Sequence, residues 1–460
     1  MTANRQPRPT PDNRELRLWR VGRALTLTFV AAVLVASGIF YGLVYLLDFQ
    51  EIDTTAKLNA KTLFDLVKLS FGVVAGAGAL VALVVAYRRQ RVDEAGAHRE
   101  ATRLHTERFS QAVDKLGSDS PAVRLGGVHA LAGLADDAPD DSLRQTCIDV
   151  LCAYLRLRYS PDPGEGPAHL EEHHHYLALR EVRHTILRLI GDHYRQPKGT
   201  HRSWQGCDLD LTGVTIDCNM DFGGATFSGG AVSFGGATFS GGAVNFRGAT
   251  FSGGKVSFRG ATFSGSNVNF VGATFSGGVV FFVDATFSGG VVSFDDARFS
   301  GGNVNFGGAT FSGGAVYFGG ATFSGGAVSF GGATFSGGAV YSGGATFYSG
   351  AVSFGGATFS GGAVNFEIAE FSGGEVYFGG ATFSGGAVSF SGATFSGGAA
   401  YFGGATFSGG EVYFSGATFS GGAVNFEGAT SPAPHGLLAS VGTPPPAGVT
   451  LPSAWLLPTP

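Results

Sequence analysis

The sequence predicts a chain of mixed class: a two-helix membrane hairpin, a small all-α segment, then a long β-solenoid of about 17 twelve-residue repeats. Three observations lead there. Two uncharged stretches lie in the first 90 residues, each about the length that spans a bilayer core. Amphipathic helical patterns fill the next hundred residues. From Phe222 to Phe426 one unit then repeats, and a fixed period is the mark of a solenoid. The composition fits no ordinary globular chain. Gly is 76 of 460, Phe is 41 and charged residues are 14%, where about 25% charge is usual. Net charge is −5, so charge argues against a nucleic-acid partner. Four cysteines exclude a disulfide-stapled scaffold.

The hairpin comes first. Residues 1–23 form a basic N-terminus carrying Arg5, Arg8, Arg14, Arg17, Arg20 and Arg23. Residues 24–47 and 69–87 carry no charge and are expected as transmembrane helices, with 48–68 as a short external loop. Gly72, Gly76 and Gly78 dilute the second, although small residues also let two membrane helices pack closely. Arg88, Arg89 and Arg91 follow it, so the positive flanks place both termini on the cytoplasmic side of a two-span cell-membrane protein, with the lipid bilayer as a partner.

Residues 88–200 are expected as a cytoplasmic helical domain of HEAT-like hairpins. A helix leaves the membrane and runs to about Leu116. Ser120 and Pro121 suit an N-cap and first helical position. Val123, Leu125, Val128, Leu131 and Leu134 form an apolar stripe. Asp141 or Ser142 opens a helix reaching Tyr159, and Arg180 to Tyr194 forms another. Between them, His169 and His173 have the i, i+4 spacing of helical metal ligands. They adjoin a Gly/Pro-rich loop, and the segment reads as a solvated loop with no metal. Cys147 and Cys152, and Cys207 and Cys218, read as core thiols.

The repeat unit is Ala-Thr-Phe-Ser-Gly-Gly-Ala-Val-Ser-Phe-Gly-Gly, as in Ala225 to Gly236. Phe stands at all 17 positions taken every twelfth from Phe227 to Phe419. The register from Phe222 to Phe426 is broken only by Ser342, and the register from Val232 only by Ala400. Strand alternation puts Ala225 with Phe227 and Val232 with Phe234 on buried faces, leaving Thr226 and Ser233 outside. Phe227, Phe239, Phe251, Phe234, Phe246, Val232 and Val244 are therefore the expected structural ladder. The Gly-Gly pairs read as turns. One twelve-residue unit could close as a flat, two-sided coil with Phe227 beneath Phe239. Two units could instead close a four-sided coil of 24 residues with Phe227 beneath Phe251. The absence of any odd–even alternation favours the flat coil. Residues 201–221 are expected to cap the start of the stack, and 428–460, uncharged and containing Pro444-Pro445-Pro446, to form a disordered tail.

The five-residue spacing of Phe222, Phe227 and Val232, each with a small or apolar residue two before it, resembles pentapeptide-repeat proteins. Glu107 to Phe109, Lys115 to Ser118 and Ala122 to Val128 resemble a segment of membrane-tethered bacterial members, a likeness covering roughly 105–200 and the region after it. The resemblance implies a right-handed, quadrilateral β-helix and an adaptor role without known chemistry. The chain departs from the family in that the next centre follows after seven residues. No catalytic, cofactor or metal residues are expected, so the chain is read as a non-enzymatic membrane-anchored scaffold that binds an unidentified protein. Two alternatives follow. A DNA-mimicking topoisomerase inhibitor, as some pentapeptide-repeat proteins are, needs a denser anionic surface than seven acids against four bases between Phe222 and Phe426. An ice-like surface binder would use the Thr column from Thr226, which Arg298 and Glu370 interrupt.

Overall fold

The computed structural model describes residues 60–158, 160, 162–409, 411–430 and 432–456, with scattered positions between 26 and 45. Residues up to Arg103 and those from Leu104 onward form two compact units.

The first long helix, α1, runs without a break over Ala60–Leu116. The expected loop at 48–68 therefore ends in helix from Ala60 onward. The expected first span, 24–47, lies in large part outside the described residues. The second, 69–87, is the interior of α1. Among the described residues no helix is long and apolar enough to cross a membrane. Gly72, Gly76 and Gly78 dilute the apolar run, and the same helix continues into a segment dense in charge from Arg88 to Lys115. The two-span hairpin and the multi-pass membrane localisation are corrected accordingly.

Three shorter helices follow: α2 (Pro121–Asp136), α3 (Asp141–Arg156) and α4 (Leu170–Arg195). Ser120 and Pro121 do open α2, but the Ser120 hydroxyl accepts no capping bond. The cap of α3 lies one residue earlier than the sequence suggested: the Asp140 carboxylate accepts from the Leu143 N–H at 2.9 Å. Helix α4 begins ten residues before the expected Arg180, so the His173-His174-His175 run is helical. Of the apolar stripe of α2, Val128, Leu131 and Leu134 are buried with Cys147, Ile148, Leu151 and Leu155 of α3 and Val182, Ile186 and Ile190 of α4, while Leu125 is half-buried and Val123 exposed.

The solenoid closes in 24 residues. Strand β1 (Leu209–Asp210) pairs with β4 (Thr226–Ser233), β2 (Thr215–Ile216) with β5 (Thr238–Phe239), and β3 (Met220–Asp221) with β6 (Val244–Asn245). Strand β7 (Thr250–Ser257) then lies on β4, with Phe227 opposite Phe251 and Val232 opposite Val256. All these ladders are parallel. The flat coil is thereby corrected: two units make one coil, and with the entry and C-terminal segments the stack has about 10 coils. The reason is the reach of the turn. Gly235 and Gly236 form a two-residue turn in which the Ala237 N–H meets the Phe234 carbonyl at 3.0 Å, with Gly236 at φ +63°. Such a turn keeps its end Cα atoms within about 7 Å, whereas two sheets packed over side chains stand about 10 Å apart. It can make a corner but cannot reverse the chain across a core of Phe rings.

Each coil therefore has four faces. Face I is Ala225–Phe227, face II Val232–Phe234, face III Ala237–Phe239 and face IV Val244–Phe246. Faces I and II share one 15-stranded sheet, because strands such as β4 run through the corner between them, while faces III and IV form separate nine-stranded sheets. Eight inward side chains per coil, four of them Phe, fill the core. Phe227 stacks on Phe251 at 4.9 Å and 5°, and Phe239 on Phe263 at 4.5 Å and 3°. The Phe234 and Phe246 ladders meet edge to face, as in Phe246–Phe258 at 5.7 Å and 85°, a favoured aromatic geometry.

Both ends of the stack are closed. Residues 201–221, expected as a cap, contain the first coil itself, and the helices cover it. Tyr194 of α4 lies 5.2 Å from the Phe227 ring. Gly191 passes so close that a Cβ there would sit 2.5 Å from the Asp221 carbonyl oxygen. Arg183 donates to the Thr215 carbonyl at 2.9 Å, Arg180 to Asp217 O at 2.8 Å, and Arg195 to Gly223 O at 2.7 Å. These guanidinium groups satisfy edge carbonyls that would otherwise template another strand. At the other end the tail, expected to be disordered, packs on the last coil over its described residues, 428–430 and 432–456. Val449 and Thr450 pair with Val424 and Asn425, Leu437 and Val441 of helix α5 (Leu437–Val441) are buried, and Trp455 lies 5.6 Å from Phe426. With no charge in this segment, its apolar residues can seal the last coil without desolvating an ion.

Candidate interaction surface

The outward side chains form columns 24 residues apart, which sorts the twelve-residue pattern into two unlike sets. Thr226, Thr250 and Thr274 stand on face I, in the column that Arg298 and Glu370 interrupt. The alternate threonines, Thr238, Thr262, Thr286, Thr310 and Thr334 onward to Thr406, form an unbroken column on face III. No charged residue occurs on face III anywhere along it. Sequence reasoning missed this separation because it treated the threonines as one column.

Faces II and IV carry the larger outward groups. Tyr317 and Tyr341 stack at 5.0 Å on face IV, and Tyr377 and Tyr401 at 5.0 Å on face II. Asn side chains brace the corner after face IV: Asn245 Oδ1 accepts from the Arg247 N–H at 3.0 Å, and Asn365 Oδ1 from the Glu367 N–H at 2.8 Å. The acids of the array lie on several faces and corners. Glu370 stands on face I, Glu375 on the strand leading into face II, Asp295 and Glu367 at the corner after face IV. They do not form the continuous anionic strip that mimicry of DNA requires.

The expected ladder residues Phe227, Phe239, Phe251, Phe234, Phe246, Val232 and Val244 are all buried. They are core and present nothing to a partner. The four cysteines are free thiols. Burial pushes Cys147, Cys207 and Cys218 up to about 11 and Cys152 to about 12, which keeps each protonated and unreactive. His169 and His173 do not converge: His173 Nδ1 meets Asp162 Oδ1 at 2.7 Å, and His169 Nδ1 meets Glu172 Oε2 at 3.0 Å. Among the described residues no group of three His, Cys, Asp or Glu is placed to hold a metal ion. An open cleft of about 790 Å³ lies beside α4, lined by Arg158, Glu171, Glu172, His175 and Tyr176.

Under α2 and α4 lies a buried polar cluster. Asp136 accepts from Trp204 Nε1 at 3.0 Å and faces His193 Nε2 at 3.2 Å, and the His193 ring stacks on Trp204 at 4.1 Å. Burial acts to raise the Asp136 carboxyl, but the bonds from His193 and Trp204 outweigh it and hold it below the usual range. The cluster ties the helices to the segment entering the first coil.

The family described as pentapeptide repeats (9 copies) matches residues 241–282, 277–316 and 385–430. No curated protein and no solved structure matches the chain. The repeat array is a parallel, four-sided β-solenoid with stacked central residues, and its residues 241–316 and 385–430 are similar to the pentapeptide-repeat family.

Proposed function

We propose that the chain is a non-enzymatic scaffold whose solenoid presents a rigid polar face to a protein partner. The observation that carries this is the unbroken, charge-free Thr column of face III, held on a core of stacked rings. Such a surface offers regularly spaced hydroxyls with little ordering entropy to lose on binding. The array's Phe rings face inward and its stacked outward Tyr side chains lie on faces II and IV, so face III supplies shape and hydrogen bonds. The test is capture by the immobilised full chain, compared with a variant carrying Thr286→Arg, Thr310→Arg and Thr334→Arg. Captured proteins that bind both forms equally would overturn face III as the binding surface. Loss of a specific protein from the variant, with its melting unchanged, supports it.

The same column favours a second reading, binding to a repeating surface such as ice, since its threonines recur at the strand spacing of about 4.8 Å. Ice-recrystallisation assays on the full chain and on Thr310→Lys decide it. Equal behaviour of the two rejects this reading.

A further inference from the structure

Face II has an order that the repeat alone does not require. The position just before its Val carries one cation and one anion in the described coils: Lys255 and Glu375, both exposed. They are 120 residues apart, which is five coils, or roughly 24 Å along the rod at about 4.8 Å per coil. A two-fold axis lying in the plane of face II, along the strand direction and midway between them, passes between the coils of Asn303 and Ala327. Across that axis Lys255 of one copy meets Glu375 of the other, twice.

The same axis pairs the remaining side chains by size. Val279 falls opposite Ala351, and Asn303 opposite Ala327. In the neighbouring column Phe281 falls opposite Ser353, Tyr377 opposite Ser257 and Tyr401 opposite Ser233. Every bulky residue meets a small one and each charge meets its opposite, as self-complementary two-fold interfaces demand. Within one chain these groups are only lightly engaged. Lys255 Nζ lies 5.3 Å from the Phe281 ring, and the Tyr377 hydroxyl donates to Glu375.

We propose that two copies of the chain associate antiparallel through face II, with Lys255 and Glu375 setting the register. Eight coils of a strip four residues wide cover about 34 by 13 Å, so the pair buries about 900 Å² in total. That is below the roughly 1,200 Å² of a standard interface. The dimer is therefore concentration-dependent and weakened by salt.

Sedimentation velocity on the full chain tests this at low and high salt. Lys255→Glu and Glu375→Lys should each raise the dimer dissociation constant at least tenfold, and the double exchange should restore it. Thr310→Arg on face III should leave it unchanged. All three positions are exposed or half-buried, and melting curves check that the variants fold. A wild-type chain that stays monomeric at 200 µM overturns the proposal (about 200 µM being ample for a weak interface). So do single variants that associate like wild type, a double exchange that fails to restore association, or a dimer lost in Thr310→Arg.

Discussion

Ile368 occupies a place that glycine holds in most coils. It is the second residue of the corner after Phe366, with φ +52°, and its side chain is 72% exposed. A β-branched side chain in the left-handed region crowds its own backbone at a cost of about 1–2 kcal/mol. Glycine removes that strain but adds freedom to the unfolded chain. Ile368→Gly should therefore stabilise the array by about 1 kcal/mol net, read as a raised denaturation midpoint. Asp296, at φ +56° in the equivalent corner, gives the control. Aspartate tolerates this region, and Asp296→Gly should change little. A second single-residue effect lies in the helices. His105 is buried with its Nε2 3.7 Å from Cys147 Sγ, and burial lowers its pKa from 6.5. The unfolded chain thus takes up a proton more readily than the folded one. Stability on this account is complete above pH 6.5 and falls as the pH drops through the window below it. His105→Gln should flatten the melting temperature between about pH 5 and 7. An unchanged slope would assign the acid sensitivity to other groups.

At the scale of elements, one ladder is broken. Ser342 stands where Phe318 below and Phe366 above have rings, and it is 3% exposed. The backbone keeps its register there: the Ser342 N–H meets the Asn365 carbonyl at 2.7 Å, and Phe347 stays stacked between Phe323 and Phe371. Ser342→Phe should then restore the stack and raise stability by about 3 kcal/mol, the scale of a core Phe truncation reversed. A lowered midpoint would mean that the neighbouring coils have closed over the gap. The strands, their inward residues and the turn glycines were legible in the sequence, because alternation and period depend only on local order. Coil closure was not, since Phe239 and Phe251 are equivalent in the repeat and only the span of the Gly235–Gly236 corner separates them. The helical start of α4 was obscured by three consecutive histidines. The packed tail was obscured by its prolines, because Trp455 acquires a partner only when Phe426 is exposed at the end of the stack.

Across the whole array the charges are graded. The cations Arg247, Lys255, Arg259 and Arg298 all precede Phe299, beside the acids Asp284, Asp295 and Asp296, while beyond it lie Glu367, Glu370, Glu375, Glu411 and Glu427 and no Lys or Arg. This grading was legible in the sequence, but the face to which each charge belongs was not. Face assignment needs the 24-residue coil, which is why face III and the Lys255–Glu375 relation emerge only from the folded chain. An antiparallel pair opposes the two ends of this gradient, whereas a parallel pair would align like with like.

Because one unit is half a circuit, the number of units between two residues has a parity, and parity decides which way they look. Removing Ala309–Gly320, one unit, leaves every ladder chemically continuous, for the sequence on either side is the same. Everything beyond the deletion nevertheless turns to the opposite side, so Glu375 faces away from Lys255, and the Thr column of face III continues through Thr322 and Thr346 only to be interrupted by Glu370. Removing Ala309–Gly332, two units, shortens the rod by one coil and keeps both groups on face II. The two shortened chains should melt alike, while only the two-unit deletion still self-associates in sedimentation. Gain or loss of repeats is silent for folding in either case, and for surface chemistry only in even steps.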